Sequence, residues 1–176
     1  MPDLLTYRQE VCRKLVHISS SAIAVLLWYF GKEILFPLIL TFGILVLVID
    51  SSRKYNPYIK KIYYTLFGNI TRPNEDQGLS GASWVFVGAV VTIYFFDTDT
   101  AVIALLIMSL SDSVAAIIGI RYGYTKFFNK SLEGTLAFLL MTYLILFLLY
   151  PGSFIVALIT TITATAIELF SIQKFN

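Results

Sequence analysis

The sequence predicts an all-α polytopic membrane protein, a single transmembrane bundle of about six helices over residues 1–176. Hydrophobic residues make up 57% of the chain and charged residues only 14%, whereas soluble domains are about 45–50% apolar and about 25% charged. The apolar residues fall in blocks close to the roughly 20 residues that a helix needs to cross a bilayer. The net charge is +2 and there is no basic tract, so the composition does not indicate nucleic-acid binding.

Six apolar segments support this fold class. They lie at about residues 16–30, 34–49, 81–96, 101–120, 133–150 and 152–170. The first has a basic approach, and its Ala-Ile-Ala match lies inside the segment, so we expect a membrane span and not a cleaved signal. The second is short. Pro73 and Gly78 mark a turn before the third segment, and Asn129 or Ser131 is a candidate N-cap for the fifth.

The distribution of basic residues predicts the orientation of the bundle. With six spans, every lysine and arginine except Lys32 falls on the same side as the two termini, whereas Glu33, Asp97 and Asp99 fall on the opposite side. Because cytoplasmic loops carry the excess of Lys and Arg, we expect both termini and the polar site residues to face the cytoplasm. Asp50 and Asp76 fall on this same side.

The fourth segment is interrupted by Asp112, which lies among three serines. An ionised aspartate inside a span costs about 2.5–3.5 kcal/mol on insertion scales, and such residues usually face a cavity or a partner. The alternative is a packing or capping role near the interface. Gly119 and Gly123 form a G-x-x-x-G pair further along the same helix. Such a pair usually means close helix packing, and beside a cationic loop it could also admit a phosphate chain.

The loop after the fourth segment combines cations, a hydroxyl and a carboxylate. Arg121 and Lys130 supply positive charge, and Ser131 and Glu133 come at the start of the next helix. Backbone N–H groups at a helix start attract anions. Because Mg²⁺ typically takes one or two carboxylates together with substrate phosphates, we expect Asp112 and Glu133 to share a magnesium ion. Favourable pairing with the helix dipole is the other interpretation of Glu133.

Three further polar stretches are expected on the same membrane face. Arg13 and Lys14 precede His17, the only histidine, by four and three residues and lie on its helical face. This trio could bind phosphate and relay a proton, or could be a basic membrane anchor. The stretch from 71 to 84 and the end of the last segment contribute the remaining candidates: Arg72, Glu75 and Glu168.

Cations, carboxylates and a small-residue helix on one face are what phosphoryl transfer requires. The chain has no G-x-x-x-x-G-K-[ST] loop and no protein-kinase signature set. A nucleotide site would therefore be of another type, and the apolar bundle would admit a lipid alcohol from the bilayer.

Four stretches resemble the CTP-dependent lipid kinases, the family of dolichol, polyprenol, phytol and yeast-type diacylglycerol kinases, distantly similar to phosphatidate cytidylyltransferase. They read RKLVHISS at 13–20, RPNEDQGLSGASW at 72–84, SDSVAAIIGIRYG at 111–123 and NKSLEGTLAF at 129–138, with IELFS at 167–171 as a weaker fifth. The arginine-led turn resembles that of small prokaryotic diacylglycerol or polyprenol kinases.

The resemblance implies CTP as phosphoryl donor, Mg²⁺ as cofactor and a long-chain lipid alcohol as acceptor. The residues that match the family's nucleotide motif, its N-terminal motif and its late glutamate are Asp112, Lys130, Ser131, Glu133, Gly134, Arg13, Lys14, His17 and Glu168. Members commonly continue with an Asp-Asn element and another hydrophobic segment. This sequence ends at SIQKFN, so we expect either a short or truncated member, or a last element that is not needed.

Two other functions remain open from the sequence. One is cytidylyl transfer to a phosphorylated lipid, and the other is a small transporter with Asp112 as its ion site. The sequence leaves the lipid and the oligomeric state open, a homodimer included.

Overall fold

The computed structural model describes residues 6–72, 75, 78–127, 130–150 and 152–170. These residues form nine α-helices in chain order: α1 Tyr7–Ser19, α2 Ser21–Phe30, α3 Lys32–Ser52, α4 Pro57–Phe67, α5 Gly81–Phe95, α6 Thr98–Leu106, α7 Asp112–Tyr122, α8 Leu132–Leu149 and α9 Phe154–Phe170. A 3₁₀ turn spans Gly68–Ile70 and a π turn Ile107–Ser111. The sequence predictions at Pro73, Asp76 and Asn129 lie outside the described residues.

The predicted all-α class is confirmed, and each of the six apolar segments coincides with helix. Four helical stretches are long and apolar enough to cross a membrane: Tyr7–Phe30, Lys32–Ser52, Thr98–Tyr122 and Leu132–Leu149. Two apolar helices are shorter, Gly81–Phe95 and Phe154–Phe170. The count of six spans and the cytoplasmic placement of the termini stay predictions.

Several helix boundaries differ from those expected. The first helical stretch begins at Tyr7 and breaks at Ser20, and α3 has 21 residues where the sequence indicates a short span. Gly31 joins α2 to α3 with a φ of 78°, a conformation that glycine adopts without a steric penalty. The helix α4 was not predicted, because 11 residues with two lysines do not resemble a membrane span.

The apolar core lies in the half of the bundle near the α2–α3 turn. It is built from small and branched residues of four helices: Ile23, Ala24, Leu27, Leu35, Ile39, Ala89, Ile93, Ala101, Val102 and Leu105. In the other half the buried side chains are largely polar, among them Asp50, Arg53 and Ser83. The candidate site residues belong to this polar half.

A π turn separates α6 from α7 immediately before Asp112. Ser109 and Ser111 in this turn are completely buried. Ser109 donates to the carbonyl of Leu105 at 2.9 Å, and Ser111 accepts from Thr142 of α8 at 3.1 Å. π turns inside helices are rare and frequently occur at functional sites. Asp112 follows the turn directly as the first residue of α7.

A short hairpin connects α7 to α8. Lys126–Phe127 pairs antiparallel with Lys130–Ser131, and Leu132 N donates to the carbonyl of Thr125 at 2.9 Å. The hairpin brings the end of α7 beside the start of α8, as expected for two helices joined by a folded loop.

Candidate functional site

The site is centred on a contact between α1 and α7. Lys14 Nζ lies 2.5 Å from Asp112 Oδ2, and His17 Nε2 lies 3.6 Å from the same oxygen. Lys14 and His17 precede Asp112 by 98 and 95 positions in the sequence, and the packing of α1 on α7 brings the three residues together. The Asp112 side chain remains 40% exposed, so its carboxylate is accessible to a ligand.

The π turn also orients the histidine. His17 Nε2 lies 3.0 Å from the carbonyl oxygen of Met108, which is one of the π-turn residues. Main-chain carbonyls near such a turn are displaced from regular α-helical bonding, and this one accepts a bond from another helix. His17 is therefore held with one ring nitrogen facing both Met108 and Asp112.

Two arginine–glutamate pairs lie next to this centre. Arg13 Nη2 lies 2.6 Å from Glu75 Oε1. Arg72 donates through Nε and Nη2 to one oxygen of Glu10, at 3.0 and 2.9 Å. The sequence predicts Arg13, Arg72 and Glu75, whereas it gives no role to Glu10. Arg13 Nη1 is buried with no hydrogen-bond partner among the described residues, so a donor remains for an oxygen anion.

A buried ionic cluster at the end of α3 supports the loop that carries Glu75. Asp50 and Arg53 are each 2% exposed, and Arg53 Nε lies 2.6 Å from Asp50 Oδ1. Asp50 Oδ2 accepts from the Ser80 amide and the Ser83 hydroxyl, both at 2.6 Å. Burial of this carboxylate beside its i+3 arginine was not evident from the sequence.

The guanidinium of Arg53 extends this cluster to the loop backbone. It donates to the carbonyls of Glu75 and Gly78, and it lies over the ring of Tyr63 in α4 at 4.3 Å. These bonds hold the main chain at Glu75 in place, while the Glu75 side chain contacts Arg13. The cluster thus positions one of the two arginine–glutamate pairs.

Lys130 and Glu168 form a second pair of predicted residues. Lys130 Nζ contacts both the carboxylate and the main-chain carbonyl of Glu168. The contact joins the start of α8 to the end of α9, which pack against each other. The structure therefore places Glu168 in contact with Lys130, while a role of either residue in nucleotide binding stays a prediction.

The predicted small-residue face lies against the start of α8. Ser131 is the N-cap and accepts from the Gly134 amide at 3.2 Å. A Cβ placed on Gly119 or Gly123 would come within 2.9 or 2.8 Å of Ser131 Oγ, and one on Gly134 within 2.8 Å of the Ala115 carbonyl. These glycines permit close packing of α7 on α8, while a contact with a phosphate chain stays a prediction.

Glu133 and Arg121 lie apart from these pairs. Glu133 accepts from the Thr125 amide at 3.1 Å, so it fastens the hairpin to α8. Arg121 is exposed, with its guanidinium 5.2 Å from the ring of Tyr122. The part of the chain that the structure describes contains no group of three or more His, Cys, Asp or Glu residues placed to hold a metal ion.

The carboxylates of the site suit a metal ion whose coordination is completed by substrate phosphates. Among the described residues they do not suit a metal ion that is bound by protein ligands alone. Mg²⁺ needs only one or two carboxylates when substrate phosphates complete its octahedron. The accessible carboxylate of Asp112 meets that requirement. No contact joins Asp112 to Glu133 among the described interactions, so sharing of one ion by both residues stays a prediction.

Sequence comparison identifies relatives over most of the chain. It is 33% identical to CTP-dependent diacylglycerol kinase 1 of Saccharomyces cerevisiae over 141 residues, which cover 77% of this chain and 48% of the yeast protein. It is 31% identical to an uncharacterized protein of Rickettsia prowazekii over 92% of this chain and 83% of that protein. Phytol kinase of Synechocystis is 26% identical over 95% of this chain and 71% of its own length.

The chain spans about half the length of the yeast diacylglycerol kinase that it matches. No family model matches the chain, and no solved structure does so significantly. The match to the phytol kinase covers 95% of the chain and therefore includes both the N-terminal basic motif and the motif that contains Asp112.

Proposed function

The chain belongs to the CTP-dependent lipid kinase family, and from that premise we propose that it transfers the γ-phosphoryl group of CTP to a membrane lipid alcohol at the cytoplasmic face. The observation that carries the proposal is the cluster of Lys14, His17 and Asp112, where a cation, an imidazole and an accessible carboxylate converge.

Phosphoryl transfer depends on neutralising the phosphates and aligning the reacting oxygens. Among the described residues, Nη1 of Arg13 has no hydrogen-bond partner, although the same guanidinium pairs with Glu75, and Lys14 is directed at the accessible carboxylate. Lys130, Arg121 and Arg72 are the further cations that we assign to the CTP phosphates. The N-terminus of α8, capped by Ser131, adds favourable main-chain N–H groups.

Asp112, together with Glu133, is the ligand we assign to magnesium, which when bound would stabilise charge on the transferring phosphoryl group. The lipid hydroxyl attacks the γ-phosphorus, the bond to the bridging oxygen breaks, and CDP leaves. The hydroxyl proton passes to a nearby carboxylate or to His17 through its other ring nitrogen, Nδ1, since Nε2 donates to the Met108 carbonyl. Lys14 orients the Asp112 carboxylate at 2.5 Å.

The acceptor is a lipid alcohol such as diacylglycerol, phytol or a polyprenol. The names of two relatives, a diacylglycerol kinase and a phytol kinase, favour the first two classes. The outward faces of the helices are apolar, with large hydrophobic side chains exposed along α8 and α9. These faces allow a lipid to approach within the bilayer.

The test uses the purified full chain in lipid nanodiscs with γ-labelled CTP and each of the three alcohols. We expect labelled lipid phosphate and CDP, and a loss of at least about 100-fold for Asp112→Asn, since charge stabilisation and proton transfer each contribute this much or more. Asp97→Asn is the matched control, because Asp97 is an exposed helix cap outside the site.

Two results would contradict the proposal. Release of pyrophosphate with the cytidylyl group on the lipid would identify a cytidylyltransferase. Equal rates for Asp112→Asn and the control would mean that phosphoryl transfer does not depend on this site.

A further inference from the structure

The helix α4 has an exposed apolar stripe that the proposed reaction leaves unexplained. Tyr58, Ile62 and Leu66 are 79%, 62% and 67% exposed, and their spacing of four places them on one helical face. Tyr55, just before the helix, is exposed as well. The inner face is a different one, formed by the half-buried residues Ile59 and Tyr63.

The position of α4 in the chain indicates what covers this stripe. The membrane-length helix α3 ends at Ser52, and α4 begins four residues after Arg53, at Pro57. A helix that starts so soon after the end of a membrane helix begins at the bilayer surface. Its 11 residues extend about 16 Å, which is too short to cross the roughly 30 Å hydrocarbon core.

The charges on α4 fit the same location. Lys61 borders the apolar stripe, and Lys60 lies on the opposite face, with its ammonium 5.7 Å from the ring of Tyr64. Lysines on the polar face and aromatic or aliphatic residues on the other are typical of helices that lie in the membrane interface. Tyrosine is also enriched at the depth of the lipid headgroups.

We propose that α4 lies in the plane of the membrane surface, with Tyr58, Ile62 and Leu66 at the boundary between lipid headgroups and acyl chains. The occupant of the apolar stripe is therefore lipid, and Lys60 and Lys61 face the headgroups and water. Contacts connect α4 to the candidate site. The Tyr63 ring of α4 stacks against the Arg53 guanidinium, which also donates to the main-chain carbonyl of Glu75.

Spin labels attached at single cysteines test this arrangement in the full chain in nanodiscs. The background is Cys12→Ser, which removes the only cysteine. The labelled variants are Ile62→Cys, Leu66→Cys and Lys60→Cys, with the exposed α8 position Leu140→Cys as the reference for lipid contact. Collision rates with oxygen, which concentrates in lipid, and with a water-soluble nickel chelate are measured for each label.

We expect oxygen collisions to exceed nickel collisions at 62 and 66, as at 140, and the order to be reversed at 60. Nickel access at 62 and 66 equal to that at 60 would place the stripe in water and overturn the proposal. Shielding of 62 and 66 from both reagents would overturn it too, because protein, such as a second copy of this chain, would then cover the stripe. The measurement needs no catalysis, so its failure is distinguishable from failure of the proposed kinase activity.

Discussion

Replacement of Asp50 by asparagine tests whether the buried cluster at the end of α3 holds the loop that carries Glu75. The asparagine side chain would keep a carbonyl oxygen for the bonds from Ser80 and Ser83. It would lose the charge that faces Arg53 at 2.6 Å. Removing one partner of a buried ion pair costs about 3–5 kcal/mol, because the remaining charge is uncompensated.

The structure favours the lower end of this range. Arg53 would retain its bonds to the Glu75 and Gly78 carbonyls and its contact with the Tyr63 ring. We therefore expect Asp50→Asn to lower the free energy of unfolding by about 3 kcal/mol. Combined with Arg53→Met, the loss should be smaller than the sum of the single losses, by about 0.5–3 kcal/mol.

The free energy of unfolding can be measured by denaturant titration of the purified protein in mixed micelles. The matched control is Asp97→Asn, an exposed N-cap, where asparagine caps about as well as aspartate. The KM for CTP provides a functional readout, and we expect it to rise more than kcat falls, since the cluster orients Glu75 and through it Arg13. A loss below about 1 kcal/mol with additive single effects would refute this reasoning.

Two further predictions concern the start of α8. Gly134→Ala should destabilise the protein by about 1–3 kcal/mol through overpacking, because the added carbon would lie 2.8 Å from the Ala115 carbonyl oxygen. Gly88→Ala is its control, since the nearest atom there would be 3.8 Å away; equal unfolding free energies for the two variants would contradict this packing. Lys130→Met and Glu168→Gln should each reduce CTP-dependent phosphorylation, and in the double variant the two losses should not add, because the pair acts as one unit. Purely additive effects on kcat/KM would show that the ion pair has no part in the site.

The sequence predicts the helices of this fold well because apolar runs of membrane length depend on local composition. It also gives Ser131 as one of two candidate caps, beside Asn129, since a hydroxyl at a helix start can accept from a nearby main-chain amide. The helix α4 was missed because a short helix with lysines on it resembles a polar loop. Its exposed stripe becomes visible only once its backbone is known to be helical.

The candidate site was predicted as separate motifs and not as an arrangement. Nothing local links Lys14 to Asp112, which are 98 positions apart, and only the packing of α1 on α7 joins them. The buried ion pair between Asp50 and Arg53 is not predicted by the sequence, for a related reason. A carboxylate and an arginine three residues apart usually form a surface pair, and their burial depends on how the distant residues Ser80 and Ser83 pack over them.

The position of Asp112 along its helix determines the depth at which substrates would meet. Asp112 lies ten residues before Tyr122, about 15 Å from that helix end, and Lys14 lies seven residues after Tyr7, about 10 Å from its own end. In the proposed reaction the triphosphate would reach Asp112 between the helices, whereas the hydroxyl of a lipid alcohol would already lie closer to that depth. Acceptors would then be selected by the height at which their hydroxyl resides in the leaflet, before any recognition of their shape.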